Sequence, residues 1–224
     1  MAIILSIETS TSVCAAALHE SGNLIASQEL HTPRSAASQL AVMVERLFSE
    51  AKISMKRLNA VAVSAGPGSY TGLRIGVATA KGICYGLSIP LIAIDSLHAL
   101  ASTIVNSETA ELFCPMIDAR RMEVYCCLLD RSFQVMEETQ AKVIDEHSFL
   151  DYLGRQSILF FGNGALKCKT MLNHPNALFL ENINCSAAGM GKLAFNKFHS
   201  GEFADLGLFE PNYLKDFVAK TKSV

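Results

Sequence analysis

One pattern is written twice in this chain, and it constrains the fold more than any other feature. "LSIETSTSVCAAALHESG" (5–22) and "PMIDARRMEVYCCLLDRS" (115–132) each carry an apolar run that ends on an acid, a short polar turn, and a second apolar run. At a constant offset of 110 residues, Glu8 falls on Asp118, Leu18 on Leu128 and Glu20 on Asp130. Apolar runs of this length on either side of turn residues read as antiparallel strand pairs. The repetition predicts two halves of similar construction, at about 1–110 and 111–224, each close to the size of a small domain.

In the first half, residues 2–30 read as three strands, with the turn of the second pair at 20–23. Pro33 interrupts the chain, and Ser35 is placed to cap a helix to about residue 51. Leu40, Met43, Val44, Leu47 and Ala51 recur at helical spacing on one face of it. "LNAVAVSA" (58–65) is a buried-type strand, followed by a glycine loop, a helix over 70–85, a short strand at 90–94 and another helix. In the second half three strands start near residue 113, then a helical patch at 145–153, the strand "SILFFG", a Gly-Asn-Gly turn, a helix from about 165 and a last helix at 186–199. Strands that alternate with helices after an antiparallel start give an α/β protein, with a mixed sheet flanked by helices in each half. The tail from about residue 205 is expected to pack back on the first half.

Half of the 224 residues are hydrophobic and 18% are charged, which suits a large core. Nineteen Lys and Arg against 21 Asp and Glu provide no bulk attraction to nucleic acid or to an acidic membrane. The apolar stretch 73–94 is interrupted by Lys81, by glycines and by Pro90, and makes a poor membrane span. Residues 1–8 read as a strand and not as a secretory leader. The seven cysteines are scattered within apolar runs without C-x-x-C spacing, the pattern of reduced core thiols in a cytoplasmic protein.

A pair of lobes with an acid at the first β-turn of each resembles the actin, sugar kinase and Hsp70 (ASKHA, ribonuclease H-like) superfamily. That resemblance implies a two-lobed fold, with Glu8 and Asp118 facing a metal–nucleotide complex in the cleft. Carboxylates suit Mg²⁺, and backbone N–H groups of a tight turn suit phosphate.

"SAGPGSYTGLRIGVATAKG" (64–82) is the most informative stretch. Gly66, Gly68 and Ser69 lie between a strand and a helix, where Ser69 can cap and free N–H groups can meet an anion; a tight turn that needs glycine is the other reading. The Walker order is absent. In the helix itself Gly72, Gly76 and Ala80 stand four apart, and each interior glycine costs about 0.5–1 kcal/mol relative to alanine. Such a ridge expects another backbone close by, either the first helix of this chain or a partner protein.

With "LSIETST", "IDARRMEVYCCLL", "SAGPGSYTGLRIGVATAKGICYGLSIPLIAIDSLHALA" and "PNYLKDFVAK", the chain resembles the TsaB (YeaZ) family over nearly its whole length. These are accessory subunits of the bacterial machinery that makes N6-threonylcarbamoyladenosine (t6A) beside the anticodon of tRNAs reading ANN codons. The resemblance implies a cytoplasmic homodimer that binds the catalytic paralogue TsaD and the ATPase TsaE, and reaches tRNA only through that complex. It implies a partner interface on the helices at 35–51 and 70–85, here Leu40, Met43, Leu47, Gly72, Leu73, Gly76 and Ala80. It leaves Glu8, Gly66, Gly68, Ser69 and Asp118 as vestigial nucleotide- or phosphate-facing residues. The chain is expected to carry no cofactor or metal of its own, with ATP or ADP and metal supplied at the interface through partners. Two departures stand out: Glu8 where the family more often has Asp, and "PRSAASQL" where a histidine is frequent.

Function classes separate on residue chemistry. The catalytic paralogue holds its metal with an H-x-x-x-H pair, which sets two imidazoles on one helix face. The histidines here are 19, 31, 98, 147, 174 and 199, and no two are four apart. That argues against a metallopeptidase. A small-molecule kinase would need a carboxylate for the acceptor hydroxyl and a nucleotide cleft, for which Glu8, Asp118 and Gly162-Asn163-Gly164 are the candidates. The remaining reading is a non-catalytic scaffold.

Overall fold

The structure is a computed structural model that describes residues 1–32, 36–104 and 110–215. The first sheet contains β1 (Ile3–Glu8), β2 (Cys14–Glu20), β3 (Asn23–Leu30), β4 (Ala60–Gly66) and β5 (Leu91–Asp95), in the order β3-β2-β1-β4-β5. The second contains β6 (Leu112–Asp118), β7 (Glu123–Asp130), β8 (Val135–Val143), β9 (Ile158–Phe161) and β10 (Ala177–Leu180), in the order β10-β9-β6-β7-β8. Strand for strand the two orders are the same. In each, the first strand runs antiparallel to the second and parallel to the fourth. The repeat read in the sequence is a repeat of topology.

The first sheet is covered on one side by α1 (Ala36–Ala51) and α2 (Tyr70–Leu87). Leu40, Met43, Val44, Leu47 and Phe48 of α1 meet Ile3, Leu5 and Ile7 of β1 and Val77, Ala80 and Cys84 of α2 in one cluster. Enclosing a leucine of this kind is worth about 1.5–3 kcal/mol, so the apolar stripe of α1 belongs to the fold. This corrects the expected partner interface. Leu40, Met43 and Leu47 are core residues, as are Leu73 and Ala80, which are fully enclosed. The small-residue ridge of α2 meets the β1–β2 turn, at Gly72 through the Thr9 carbonyl and at Gly76 through the Thr9 side chain.

Behind the first sheet the chain comes back earlier than residue 205. A 3₁₀ turn (Ala187–Met190) and α5 (Gly191–Ser200) pack Ala187, Met190 and Ala194 on Ile4, Ala15, Ala17, Ala60 and Ile92. His19 fastens this return: its Nδ1 accepts from the Ser6 hydroxyl at 3.1 Å, and its Nε2 donates to the Ala188 carbonyl at 3.1 Å. Further along, Lys81 Nζ reaches the Gly207 and Phe209 carbonyls at 3.2 and 3.0 Å, across the end of the first sheet's helical layer. Between the sheets lies α3 (Ser96–Ala101), whose Leu97 and Leu100 join Phe113, Leu129 and Phe161 of the second sheet. The outer side of that sheet is thinly covered. The patch expected at 145–153 is one turn, α4 (Leu150–Leu153), and the helix expected from 165 is a 3₁₀ turn at Leu166–Cys168. All seven cysteines are buried and free. No helix among the described residues is long and apolar enough to cross a membrane. The cap expected at Ser35 lies outside the described residues.

Candidate functional site

The acid that closes β1 does not face a cleft. Glu8 is completely enclosed, and its Oε1 accepts from the Ser10 backbone N–H at 2.5 Å. Burial pushes its carboxyl above the usual range, against the lowering effect of hydrogen bonds from Ser10 and Ser64. A carboxyl shut away from water, with one oxygen held and Oε2 buried without a partner, loses its proton less readily than a free glutamate. Asp118 stands at the equivalent place in the second half and is different in kind. Its side chain is 44% exposed, pairs with Lys167 and accepts from the Arg120 N–H at 2.9 Å. The duplicated acids therefore present no shared carboxylate face.

The glycine loop is filled by the protein itself. Gly66 has a φ of +107°, and a Cβ there would stand 2.4 Å from the Asn212 carbonyl oxygen. A Cβ at Gly68 would stand 2.3 Å from the Ser10 carbonyl oxygen, and one at Gly72 would stand 2.1 Å from that of Thr9. The contacts are also bonded: Ser69 N–H donates to the Ser10 carbonyl at 2.6 Å, and Asn212 N–H to the Ala65 carbonyl at 2.7 Å. Ser69 caps α2 as expected, accepting from the Gly72 N–H at 3.3 Å. Thus Glu8, Gly66, Gly68 and Ser69 do converge, but around the Thr9–Ser10 turn. The glycines admit backbone where a phosphate was expected.

The second half repeats the device. After β9, a Cβ at Gly162 would come 2.4 Å from the Met116 carbonyl oxygen, and one at Gly164 would come 2.9 Å from the Ile117 carbonyl carbon. Asn163 Oδ1 accepts from the Asp118 N–H at 3.0 Å. In the first half the loop after the fourth strand grips the turn after the first strand, and in the second half it grips the last residues of the first strand, Met116, Ile117 and Asp118. A metal–nucleotide complex of the superfamily's kind does not fit these residues: the one acid is enclosed and the loop meant for phosphate is occupied by Ser10 and Asn212. Among the described residues no three His, Cys, Asp or Glu side chains are grouped to hold a metal ion.

A different face of α2 is left open. Thr71, Arg74, Ala78, Gly82, Tyr85 and Gly86 point to solvent. A Cβ at Gly82 or at Gly86 would meet nothing within 4 Å, and Tyr85 is 82% exposed. The fold needs neither glycine, although each weakens the helix. The signal was present in the sequence as a second four-spaced small ridge, Ala78–Gly82–Gly86, beside the one at 72, 76 and 80. Position along the helix alone does not tell which ridge is inside.

A family model described as "TsaD: tRNA N6-adenosine threonylcarbamoyltransferase" matches residues 22–223. The tRNA threonylcarbamoyladenosine biosynthesis protein TsaB of Escherichia coli (strain K12) is 31% identical, over 98% of this chain and 97% of its own. The solved structure of YeaZ from Pseudomonas aeruginosa covers 96% of this chain and 100% of its own, with a TM-score of 0.83 at 27% identity. The activator of 2-hydroxyisocaproyl-CoA dehydratase from Clostridium difficile, solved with bound ADPNP, is 10% identical with a TM-score of 0.50 over 91% of this chain, and shares the fold alone. With the paired five-stranded mixed sheets, these likenesses show the two-lobed actin-like fold.

Proposed function

We propose that this chain, which belongs to the TsaB (YeaZ) family, serves the formation of N6-threonylcarbamoyladenosine in tRNA as a non-catalytic scaffold subunit. It binds the catalytic paralogue TsaD and the ATPase TsaE, and it meets tRNA through them. The observation that carries this reading is the outward face of α2, where Ala78, Gly82 and Gly86 keep a helix surface bare that the chain's own core does not touch. Small residues at four-residue spacing let a second helix come close. We assign partner contact to this face, with Arg74 and Tyr85 at its margins, in place of the enclosed ridge at 72, 76 and 80. The cytoplasmic homodimer implied by the family resemblance belongs to the same reading.

The chemistry supports a scaffold over a kinase. A kinase needs an ionised carboxylate beside the acceptor hydroxyl, and Glu8 is fully enclosed, out of reach of a substrate, with its ionisation opposed by burial. Asp118 is engaged with Lys167. Nucleotide and metal enter this account only at an interface that partners complete.

Reconstitution tests it. Threonylcarbamoyl transfer to tRNA by TsaD and TsaE should depend on this chain and saturate at a fixed ratio of it to TsaD. Transfer at the same rate without it would overturn the assignment.

A further inference from the structure

After α5 the chain runs as a strap along the first sheet and ends on the second. Ala204 bridges the edge strand β5, its N–H donating to the Leu91 carbonyl at 2.9 Å. Leu206 and Phe209 pack against the core cluster of α1 and α2, and Lys81 holds the Gly207 and Phe209 carbonyls. Beyond them the Asn212 N–H donates to the Ala65 carbonyl at 2.7 Å, and the Tyr213 ring lies 4.8 Å from that of Tyr70. Lys215 then leaves the first half and pairs with Glu123, the first residue of β7.

The first half is shaped to receive this strap. Gly66 has a φ of +107°, and a Cβ there would collide with the Asn212 carbonyl oxygen, so position 66 is bare where the strap crosses. The strap is also held unevenly. Its root has Leu206 and Phe209 in the core, whereas Asn212, Tyr213 and Lys215 are exposed and kept in place by polar and ring contacts. Segments with few enclosed apolar contacts open first.

The place where it ends gives the strap leverage. The chain itself crosses between the sheets at 101–112, entering β6 at Leu112, and again at 181–187, where Ser186 bonds to Glu29 of β3. Glu123 lies beside Asp118, at the other end of β6 from Leu112, roughly 20 Å away at about 3.3 Å per residue. It is reached from the β4–β5 side of the first sheet, opposite β3. On that side the Thr139 hydroxyl also donates to Asp95, at a long 3.4 Å. Near the Leu112 end the two halves leave a cavity of about 420 Å³ between Ala101, Leu129 and Leu193, so their contact there is incompletely filled.

We propose that residues 210–215 are an openable clasp that restrains the two halves against each other, with the Lys215–Glu123 ion pair as its latch. A partly exposed ion pair is screened by salt, so ionic strength releases the latch while Leu206 and Phe209 keep the root of the strap in place. The clasp is independent of the role proposed in tRNA modification.

Amide hydrogen exchange in the full chain reads the clasp at the Asn212 N–H. Raising sodium chloride from about 0.05 M to about 1 M should speed exchange there at least about threefold and leave Ala204 unchanged. Lys215→Ala should abolish this salt dependence. Lys215→Glu, an exposed change that sets two acids together, should melt as the parent does and exchange at Asn212 about tenfold faster in low salt. Adding Glu123→Lys restores an opposite pair and should bring the rate back to within about threefold of the parent. The seven native thiols are enclosed, so spin labels can be placed at Ser54→Cys and Thr170→Cys, exposed positions in the two halves. Their distance distribution should broaden in Lys215→Glu and narrow again in the reversed pair. Exchange at Asn212 that is the same in the parent and in folded Lys215→Glu would overturn the proposal, as would an unchanged distance distribution or a reversed pair that restores neither.

Discussion

Gly76 is packed on Thr9: a Cβ at position 76 would stand 2.2 Å from the Thr9 hydroxyl oxygen. One helical turn earlier, a Cβ at Gly72 would stand 2.1 Å from the Thr9 carbonyl oxygen. The two contacts differ in what can yield. A hydroxyl can turn away, but the carbonyl is fixed in a turn that Ser10 and Ser69 also hold. Gly72→Ala should therefore destabilise by about 1–3 kcal/mol in spite of alanine's better helix propensity. Gly76→Ala should cost about 1 kcal/mol or less. Urea unfolding of both variants checks the order, and equal stability of the two would argue against the gripped turn.

The solvent-facing glycine gives the opposite expectation. With nothing within 4 Å of its Cβ position, Gly82→Ala gains helix propensity without a clash. It should raise stability by about 0.5–1 kcal/mol, seen as a higher urea midpoint at unchanged slope. A loss of stability would mean that this face is not free.

How much of this was legible beforehand differs from element to element. The offset between Glu8 and Asp118 pointed to two halves of one construction, because strand patterning and turn residues are local signals, while the shared strand order rests on pairings far apart in the chain. The ridge at 72, 76 and 80 called for a close neighbour, which is backbone at Gly72 and the Thr9 side chain at Gly76, but not whose it is: spacing records that side chains are absent and carries no address. Glu8 misled for a related reason. An acid at a strand end reads the same whether the next turn opens to solvent or, as here, is roofed by Gly68 and Gly72. The return of residues 187–200 to the first sheet left no local mark, since α5 is amphipathic toward either lobe. β10 escaped because four residues are too few for a period.

Glu8 also sets a pH dependence. Its carboxyl is raised above the ordinary 4.5, mainly by burial, so the native state keeps a proton that the unfolded chain has released. Stability from this group is complete below the unfolded pKa and declines as pH rises toward the folded one. Glu8→Gln keeps the shape and removes the titration. Relative to the parent, the variant should gain stability as pH rises above the ordinary carboxylate pKa. A difference between the two that is independent of pH would contradict the raised pKa of the buried acid.

Neither repeated acid should matter to transfer chemistry. In a reconstituted, fully assembled complex, Glu8→Gln and Asp118→Asn should retain single-turnover rates within a few-fold of the parent. Asp118→Asn removes a partly exposed ion pair with Lys167, worth about 0–1 kcal/mol, so it should fold normally. A thousandfold fall in either folded variant would make the chain a catalytic subunit.

The account rests most heavily on the outward face of α2, and one binding measurement tests it. Ala78 is exposed at the start of the bare ridge, so Ala78→Arg should melt within a degree or two of the parent while an arginine side chain holds a docking helix away. Sedimentation equilibrium of this variant with TsaD should show affinity weakened at least about tenfold, or 1.4 kcal/mol, whereas the destabilised Gly76→Ala, once folded, should bind with full affinity. If Ala78→Arg binds TsaD as tightly as the parent, the outward face of α2 is not the partner surface.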